Sequence, residues 1–365
     1  MKKNAIYSIV ILFVLIISGC SSTNLTESKS KSTGPRNVIL FIGDGMGVAQ
    51  VYAGMTLYNQ TFSLEKFPYS GFSKTYSANN YITDSAAGGT AIACGTKTNN
   101  GMIGVKPDSS AVSSILEIAH KNGLATGVVS TSSVTHATPA SFVAHNAGRG
   151  NYDDIAKDFL KGTVDVFIGG GSDNFKARKD NVDLTEELKK QGFRVVYSID
   201  ELKNANSNKI AGLLAKFHMP KESEGRGEAL KEMTMKAIET LSKNKNGFFL
   251  MVEGSMIDFG CHAKDFDFAE SEMLDLNKAI DAARDFAAND GNTLVVVTAD
   301  HETGGLTLNG GSMKEHKVTE PKFSGGEHTA VMVPIFSFGP DAEKFSGIHE
   351  NTFFKNEFLN FFGIK

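Results

Sequence analysis

The sequence predicts an α/β protein built on a mostly parallel central sheet with helices on both faces, and three stretches carry that expectation. Val295-Val-Val-Thr-Ala-Asp300-His301-Glu302 is an apolar β-branched run that ends in an acid and an imidazole before Gly304-Gly305. Asn37-Val-Ile-Leu-Phe-Ile42 runs into Gly43-Asp44-Gly45, and Phe248-Phe-Leu-Met-Val252 runs into Glu253-Gly254, with Asp258 and His262 just beyond. Continuous apolar runs are the mark of strands buried on both faces, and their carboxyl ends open into the crevice where α/β sheets bind ligands. The site is expected where these strands point.

At 365 residues and 41% hydrophobic, the chain suffices for one large α/β domain with a full core. The net charge of −4 gives no broad electrostatic case for nucleic acid. The N-terminus reads as an address. Lys2-Lys3 precede an apolar run from Ile6 to Ile17 that ends in Ile17-Ser18-Gly19-Cys20, the pattern of a secretory signal and too short for a membrane span. Residues 21–35 are rich in Ser, Thr and Lys, without an apolar pattern to pack, and read as a flexible tether. Of the other cysteines, Cys94 and Cys261, two buried thiols is the preferred reading, with a bridge between them as the alternative.

Along the chain, Asp44 between glycines suits a metal-binding carboxylate, with a helix N-cap as the alternative. Ser85-Ala-Ala-Gly-Gly reads as a helix start that packs closely on its neighbours, its backbone N–H groups aimed at an anion on Ser85, with a simple Ser85 N-cap as the alternative. No His or Lys base neighbours Ser85 in sequence, so a nucleophilic Ser85 calls for a metal to lower its pKa. A helix is expected over 112–121 and a strand over 125–130. Thr138 before Pro139 is expected to be extended, at a loop-to-helix junction. His136, His145 and Arg149 follow; an arginine here is either a surface charge or a clamp for an anion. A strand over 165–168 enters a triple-glycine turn, and a helix over 184–191 and a segment over 193–197 continue the alternation. Residues 199–227 carry the least pattern and are expected to be peripheral. Helical periodicity returns over 227–244 and 264–289, where Phe266, Phe268, Met273, Leu276 and Phe286 read as core rather than as cofactor contacts. The alternation of β and α is the fold-class argument.

The potential ligands converge. Asp258 and His262 are four residues apart, so one helical turn or a tight loop would aim both at one ion. Asp300 and His301 are adjacent at a strand end. Gly325-Gly-Glu-His328-Thr adds a third imidazole. Zinc favours such His/Asp sets, whereas Glu253 and Thr138 offer harder oxygens suited to Mg²⁺.

With these motifs in order, the sequence resembles the alkaline phosphatases, metal-dependent phosphomonoesterases, from about Asn37 to the C-terminus. The resemblance rests on Gly43-Asp44-Gly45, Thr83-Asp84-Ser85-Ala86-Ala87, His136-Ala-Thr-Pro-Ala140 with Arg149, Val252-Glu253-Gly254 with Ile257-Asp258 and His262, Thr298-Ala-Asp300-His301, and Glu327-His328-Thr329. It implies Ser85 as the nucleophile that becomes phosphoserine. Asp258, His262 and His328 would hold one Zn²⁺, and Asp44, Asp300 and His301 a second. Asp44, Thr138 and Glu253 would hold Mg²⁺, with Zn²⁺ as the alternative occupant. Arg149 would clamp phosphoryl oxygens and Asp84 orient it. His136 and Phe259 occupy positions where relatives vary, and His136 is expected in the outer shell. The short span from His301 to His328 implies a reduced crown and a more open pocket.

Ile-Ser-Gly-Cys resembles a bacterial lipobox. It implies a signal over 1–19, lipidation of Cys20, a tether over 20–35 and a catalytic domain over 36–365, exported and membrane-anchored at the periplasm or cell surface. The resemblance further implies a homodimer that takes small phosphate monoesters and scavenges phosphate. Rival readings are a phosphodiesterase or phosphonate hydrolase of the same superfamily, and a surface lipoprotein that binds metal without catalysis. A sulfatase is disfavoured, because Ser85-Ala-Ala-Gly-Gly does not match the formylglycine motif.

Overall fold

The structure is a computed structural model and describes residues 36–365. The expected signal, the tether and Cys20 lie outside the described residues.

Ten strands form the central sheet: β1 (Arg36–Gly43), β2 (Tyr69–Lys74), β3 (Ala125–Ser133), β4 (Val166–Gly170), β5 (Arg194–Val196), β6 (Ile210–Ala215), β7 (Gly247–Gly254), β8 (Thr293–Thr298), β9 (Val333–Phe338) and β10 (Gly347–Glu350). Their spatial order is β10-β2-β9-β8-β1-β7-β3-β4-β6-β5. Only β9 runs antiparallel to its neighbours; the remaining pairings are parallel.

Period-two alternation divides each central strand between two cores. In β1, Val38, Leu40 and Ile42 face the core capped by the helices Ser85–Cys94, Ile115–Lys121, Ala137–Val143 and Phe353–Phe362. Ile39 and Phe41 face the one capped by Val48–Leu57, Ala229–Leu241 and Phe266–Asp290. Burying each such side chain contributes about 1.5–3 kcal/mol, which is why the runs are apolar throughout rather than alternating. Three layers result, as expected.

Register brings level the strand ends that bear the candidate ligands. Ile42 pairs with Thr298 of β8 and with Glu253 of β7, and Ser130 of β3 also pairs with Glu253. Chain leaving β1 and β8 therefore delivers Asp44, Asp300 and His301 beside Glu253.

Three expectations are corrected. Residues 199–227 are not merely peripheral: they contain the helix Ile199–Lys203 and β6, which is hydrogen-bonded between β4 and β5. Six residues, one of them Gly212, were too short a run to stand out from flanking polar chain. Thr138 is not extended ahead of its proline but lies within the helix Ala137–Val143. Pro139 is tolerated there because first-turn N–H groups have no intrahelical acceptor in any case. The helix expected from 112 begins at Ile115, capped by Ser114.

The span from His301 to His328 is occupied by small antiparallel ladders, Leu306–Leu308 with Pro321–Phe323 and Gly311–Ser312 with Lys317–Val318. Cys94 and Cys261 are free and buried. Among the described residues no helix is long and apolar enough to cross a membrane.

Candidate active site

Ser85 opens a ten-residue helix, Ser85–Cys94, capped by Asp84 rather than by Ser85 itself. Asp84 Oδ1 accepts from Ala87 N at 3.0 Å, and its Oδ2 accepts from Gly101 N at 2.9 Å and from Arg149 Nη1 at 3.0 Å. One carboxylate thus caps the helix, pins the loop at Gly101 and aims the arginine. The small residues have a positional reason: a Cβ on Gly88 would lie 3.0 Å from the Asp300 carbonyl oxygen, and one on Gly89 would lie 3.0 Å from Ser141 Oγ. The helix start sits directly against the end of β8.

Sequence showed no base beside Ser85; the fold supplies an imidazole from 216 residues away. Ser85 Oγ lies 3.1 Å from His301 Nε2. That nitrogen is also 3.3 Å from Asp44 Oδ1 and 3.4 Å from Asp300 Oδ2. Burial and the neighbouring His328 hold His301 well below the usual imidazole range, so it is neutral. Its Nδ1 lies 3.2 Å from Thr303 Oγ1, a hydroxyl that donates to Asp258 Oδ1 at 2.5 Å and so accepts the Nδ1 proton. The Nε2 lone pair then faces two carboxylates, an arrangement that only a cation or a shared proton relieves.

The other two imidazoles are fixed in the same sense. His262 Nδ1 donates to the Gly326 carbonyl at 2.5 Å and His328 Nδ1 to the Thr83 carbonyl at 2.9 Å. Their Nε2 atoms are left facing each other at 3.1 Å, with Asp258 Oδ2 3.3 Å from His262 Nε2. Outer hydrogen bonds of this type select the tautomer that ligates through Nε2. Asp258 and His262 come from one helix, Met256–His262, one turn apart. Gly45, at φ +73°, lets the chain after β1 cross this helix: a Cβ there would sit 2.9 Å from Asp258 Cα.

The carboxylates crowd one another. Burial first, then Asp300, Asp258 and Glu253, push Asp44 well above the usual range. Burial, then Asp258 and Glu253, raise Asp300 to about 8. Burial also raises Glu253, against hydrogen bonds from Ser130 and Ser255. Asp258 differs: burial would raise it, but the His262 hydrogen bond and the neighbouring imidazoles of His301 and His328 hold it below the usual range. Both oxygens of Asp44, Asp300 Oδ2, Glu253 Oε1, Thr138 Oγ1 and His136 Nδ1 are buried without hydrogen-bond partners. Buried polar atoms are rarely left so, and their convergence fits bound cations.

Among the described residues three groups have ligand atoms within 4.8 Å of one another: Asp258, His262 and His328; Asp44, Asp258 and His301; and Asp44, His136 and Glu253. The first matches the set expected from sequence. In the second, Asp258 joins Asp44 and His301 beside the expected Asp300, because the Met256–His262 helix runs under the end of β1. In the third, His136 comes within ligand range of Asp44 and Glu253, closer than its expected outer-shell place. Arg149, beside it, adds to burial in lowering His136 to about 3. The His136 ring packs edge-on against Phe259 and His218, with centroids at 6.0 and 5.5 Å.

Sequence reasoning missed Thr303, His218 and the hydroxyl cradle of Glu253. Ser130 donates to Glu253 Oε2 at 2.6 Å, and Ser255 shares that hydroxyl at 2.9 Å. The run Ser130-Thr-Ser-Ser133, fully buried at the end of β3, was the available signal. Thr303→Val is expected to lower turnover by roughly 10–100-fold through weakened metal retention, the usual cost of losing a bond to a ligand. Titrating activity against free Zn²⁺ checks it; unchanged zinc dependence would mean that Thr303 only packs.

Comparison with known proteins agrees with this construction. The alkaline phosphatase family profile matches residues 35–322. Alkaline phosphatase 4 of Bacillus subtilis is 39% identical over 321 residues, covering 83% of this chain and 69% of the relative. Alkaline phosphatase 3 of the same organism is 39% identical over 352 residues, covering 92% and 76%. Among solved structures, the alkaline phosphatase of the Antarctic bacterium TAB5 superposes with a TM-score of 0.86 at 43% identity, covering 91% of this chain and 99% of that one. Two mutants of the TAB5 enzyme have Mg bound in their M3 site. A parallel sheet that ends in clustered carboxylates and imidazoles, with these relatives, defines a hydrolase, and specifically a phosphatase. The chain belongs to the alkaline phosphatase family.

Proposed function

We propose that the protein hydrolyses phosphate monoesters through a phosphoserine formed on Ser85, and that it scavenges phosphate outside the cytoplasm. The observation that carries this reading is the placement of Ser85 Oγ on His301 Nε2 at 3.1 Å, next in sequence to the Asp84 that holds Arg149 Nη1 at 3.0 Å. A nucleophile and an anion clamp are built on one helix start.

Zn²⁺ held by Asp258, His262 and His328, Zn²⁺ held by Asp44, Asp300 and His301, and Mg²⁺ or Zn²⁺ held by Asp44, Glu253 and Thr138 with His136 would neutralise the attacking and leaving oxygens and the nucleophilic water. Ser85 Oγ loses its proton and forms a bond to phosphorus as the ester P–O bond breaks; the alcohol leaves with a proton. Water then attacks the phosphoserine, freeing phosphate and returning the proton to Ser85 Oγ. Arg149 offers its guanidinium fork to phosphoryl oxygens, and Asp84 fixes the direction of the fork. Burial would lower Arg149, but Asp84 and Asp44 hold it above its ordinary value, so it stays charged throughout.

By resemblance, residues 1–19 act as an export signal, lipidated Cys20 anchors the mature chain, residues 20–35 tether the catalytic domain over 36–365, and the enzyme works as a homodimer.

Turnover of p-nitrophenyl phosphate against its bis-ester and sulfate analogues tests the reaction class. The monoester is expected to be preferred, and Arg149→Ala to lower monoester kcat/KM by roughly 100-fold or more, as for loss of a charge-stabilising donor. Bis-ester or sulfate preferred by the wild type would replace this reading.

A further inference from the structure

We propose that His145, paired with Glu117, is a pH-responsive positioning residue: its protonated ring ties together the two loops that hold Arg149, and its deprotonation loosens the grip on phosphate. The inference rests on the reading above, in which Arg149 clamps the phosphoryl group.

The geometry is a chain of named contacts. Arg149 N donates to the Gly101 carbonyl at 2.8 Å, so the segment 101–104 carries the arginine's backbone. Two residues on, Ile103 and Asn146 exchange both backbone hydrogen bonds at 2.8 Å, joining that segment to the loop that bears Arg149. His145 closes the joint. Its Nδ1 lies 2.6 Å from the Gly104 carbonyl and its Nε2 lies 2.9 Å from Glu117 Oε1. Both partners are acceptors only, so both contacts are hydrogen bonds when the ring is doubly protonated. A neutral ring that keeps Nδ1–H turns a lone pair toward an ionised carboxylate, replacing an attraction with a repulsion.

Glu117 is itself fixed. Its Oε2 accepts from Ser114 N at 2.9 Å in the capping box of the helix Ile115–Lys121, whose Ser114 Oγ donates to the Phe142 carbonyl at 2.6 Å. The carboxylate therefore has little freedom to follow the ring away. The other charged groups facing His145 are Asp158, whose Oδ2 accepts from His145 N at 2.9 Å, and Lys161, which pairs with Asp158 Oδ1 at 2.8 Å. Glu117 and the Gly104 carbonyl raise His145 above its ordinary value against burial and Lys161, and Glu117 is held low chiefly by His145 and Ser114 despite burial. The pair therefore keeps its proton to a higher pH than a free imidazole does and loses it as pH rises further. There, weaker phosphate binding speeds release of product.

The test is the competitive inhibition constant of inorganic phosphate, measured from pH 7 to pH 10 on the metal-loaded enzyme. Glu117→Gln keeps the shape and the acceptor for Ser114 N, and His145→Gln keeps an amide donor for Gly104. Each variant's constant divided by that of the wild type is expected to be about threefold or more at pH 7 and to fall toward one at pH 10. A merely structural role gives a ratio independent of pH, and that result overturns the inference. So does a Glu117→Gln effect of undiminished size in an Arg149→Ala background. If Arg149→Ala leaves phosphate inhibition unchanged, the clamp reading itself fails, and this inference with it. A normal Arg149→Ala effect with a flat variant ratio removes only the role of His145.

Discussion

Ser85→Ala is expected to lower phosphomonoester turnover by roughly 10,000-fold or more, the scale on which removal of a covalent nucleophile acts when the rest of the site survives. The substitution removes one oxygen at the first turn of the helix Ser85–Cys94. The cap is Asp84, which keeps its bond to Ala87 N whatever follows it, so the helix and Arg149 stay in place. The loss therefore belongs to chemistry and not to folding. Acid quenching during turnover of ³²P-labelled substrate is expected to trap label on the wild type and none on the variant. Label retained by the variant would move the nucleophile to another residue.

Removal of divalent metal is expected to abolish activity and to destabilise the fold more strongly as pH rises. The sign follows from the crowded carboxylates. Burial raises Asp44, Glu253 and Asp300, the last to about 8, above the value near 4 of an unfolded aspartate. A folded pKa raised above the unfolded one contributes stability that is complete below pH about 4 and is lost as pH rises through the folded value. His262, raised to about 9 chiefly by its hydrogen bond to Asp258, acts in the same direction over a higher window. Asp258, held low, contributes above the unfolded value and is constant across the neutral range. The metal-stripped protein should thus lose stability between pH 5 and pH 9. Metal displaces those protons, so its binding strengthens with pH. At a thousandfold excess over its dissociation constant each ion contributes about 4 kcal/mol. Thermal melting with chelator and with Zn²⁺ plus Mg²⁺, at pH 6, 7.5 and 9, reads the difference; a gap that narrows as pH rises would contradict the assignment of these carboxylates to metal.

Much of this site was legible before any fold was known, and for a local reason. A strand buried on both faces must be apolar along its length, so an acid or imidazole at its end is conspicuous. Asp44, Glu253, Asp300 and His301 stood out that way, and the four-residue step from Asp258 to His262 allowed a helical turn or a tight loop, of which the structure has the turn. Ser85 was marked by the small residues behind it, which Gly88 and Gly89 now explain by their contact with Asp300 and Ser141. β6 escaped notice because it is brief and interrupted by glycine, although the sheet buries it from both sides. Thr303 and His218 escaped because a threonine that orients a ligand, or a histidine that packs against another, looks in sequence like any other.

The sequence by itself determined the layered α/β fold, the strand ends that bear the candidate ligands and the family, because period and composition are local properties that survive without a partner. Tertiary structure alone decided that His301 faces Ser85, that Asp258 reaches the Asp44 group as well as its own, that His136 lies within ligand range, and that Glu117 closes on His145. Those pairings join residues 28 to 216 positions apart. They depend on strand register and on how closely two helices approach, which no local pattern encodes.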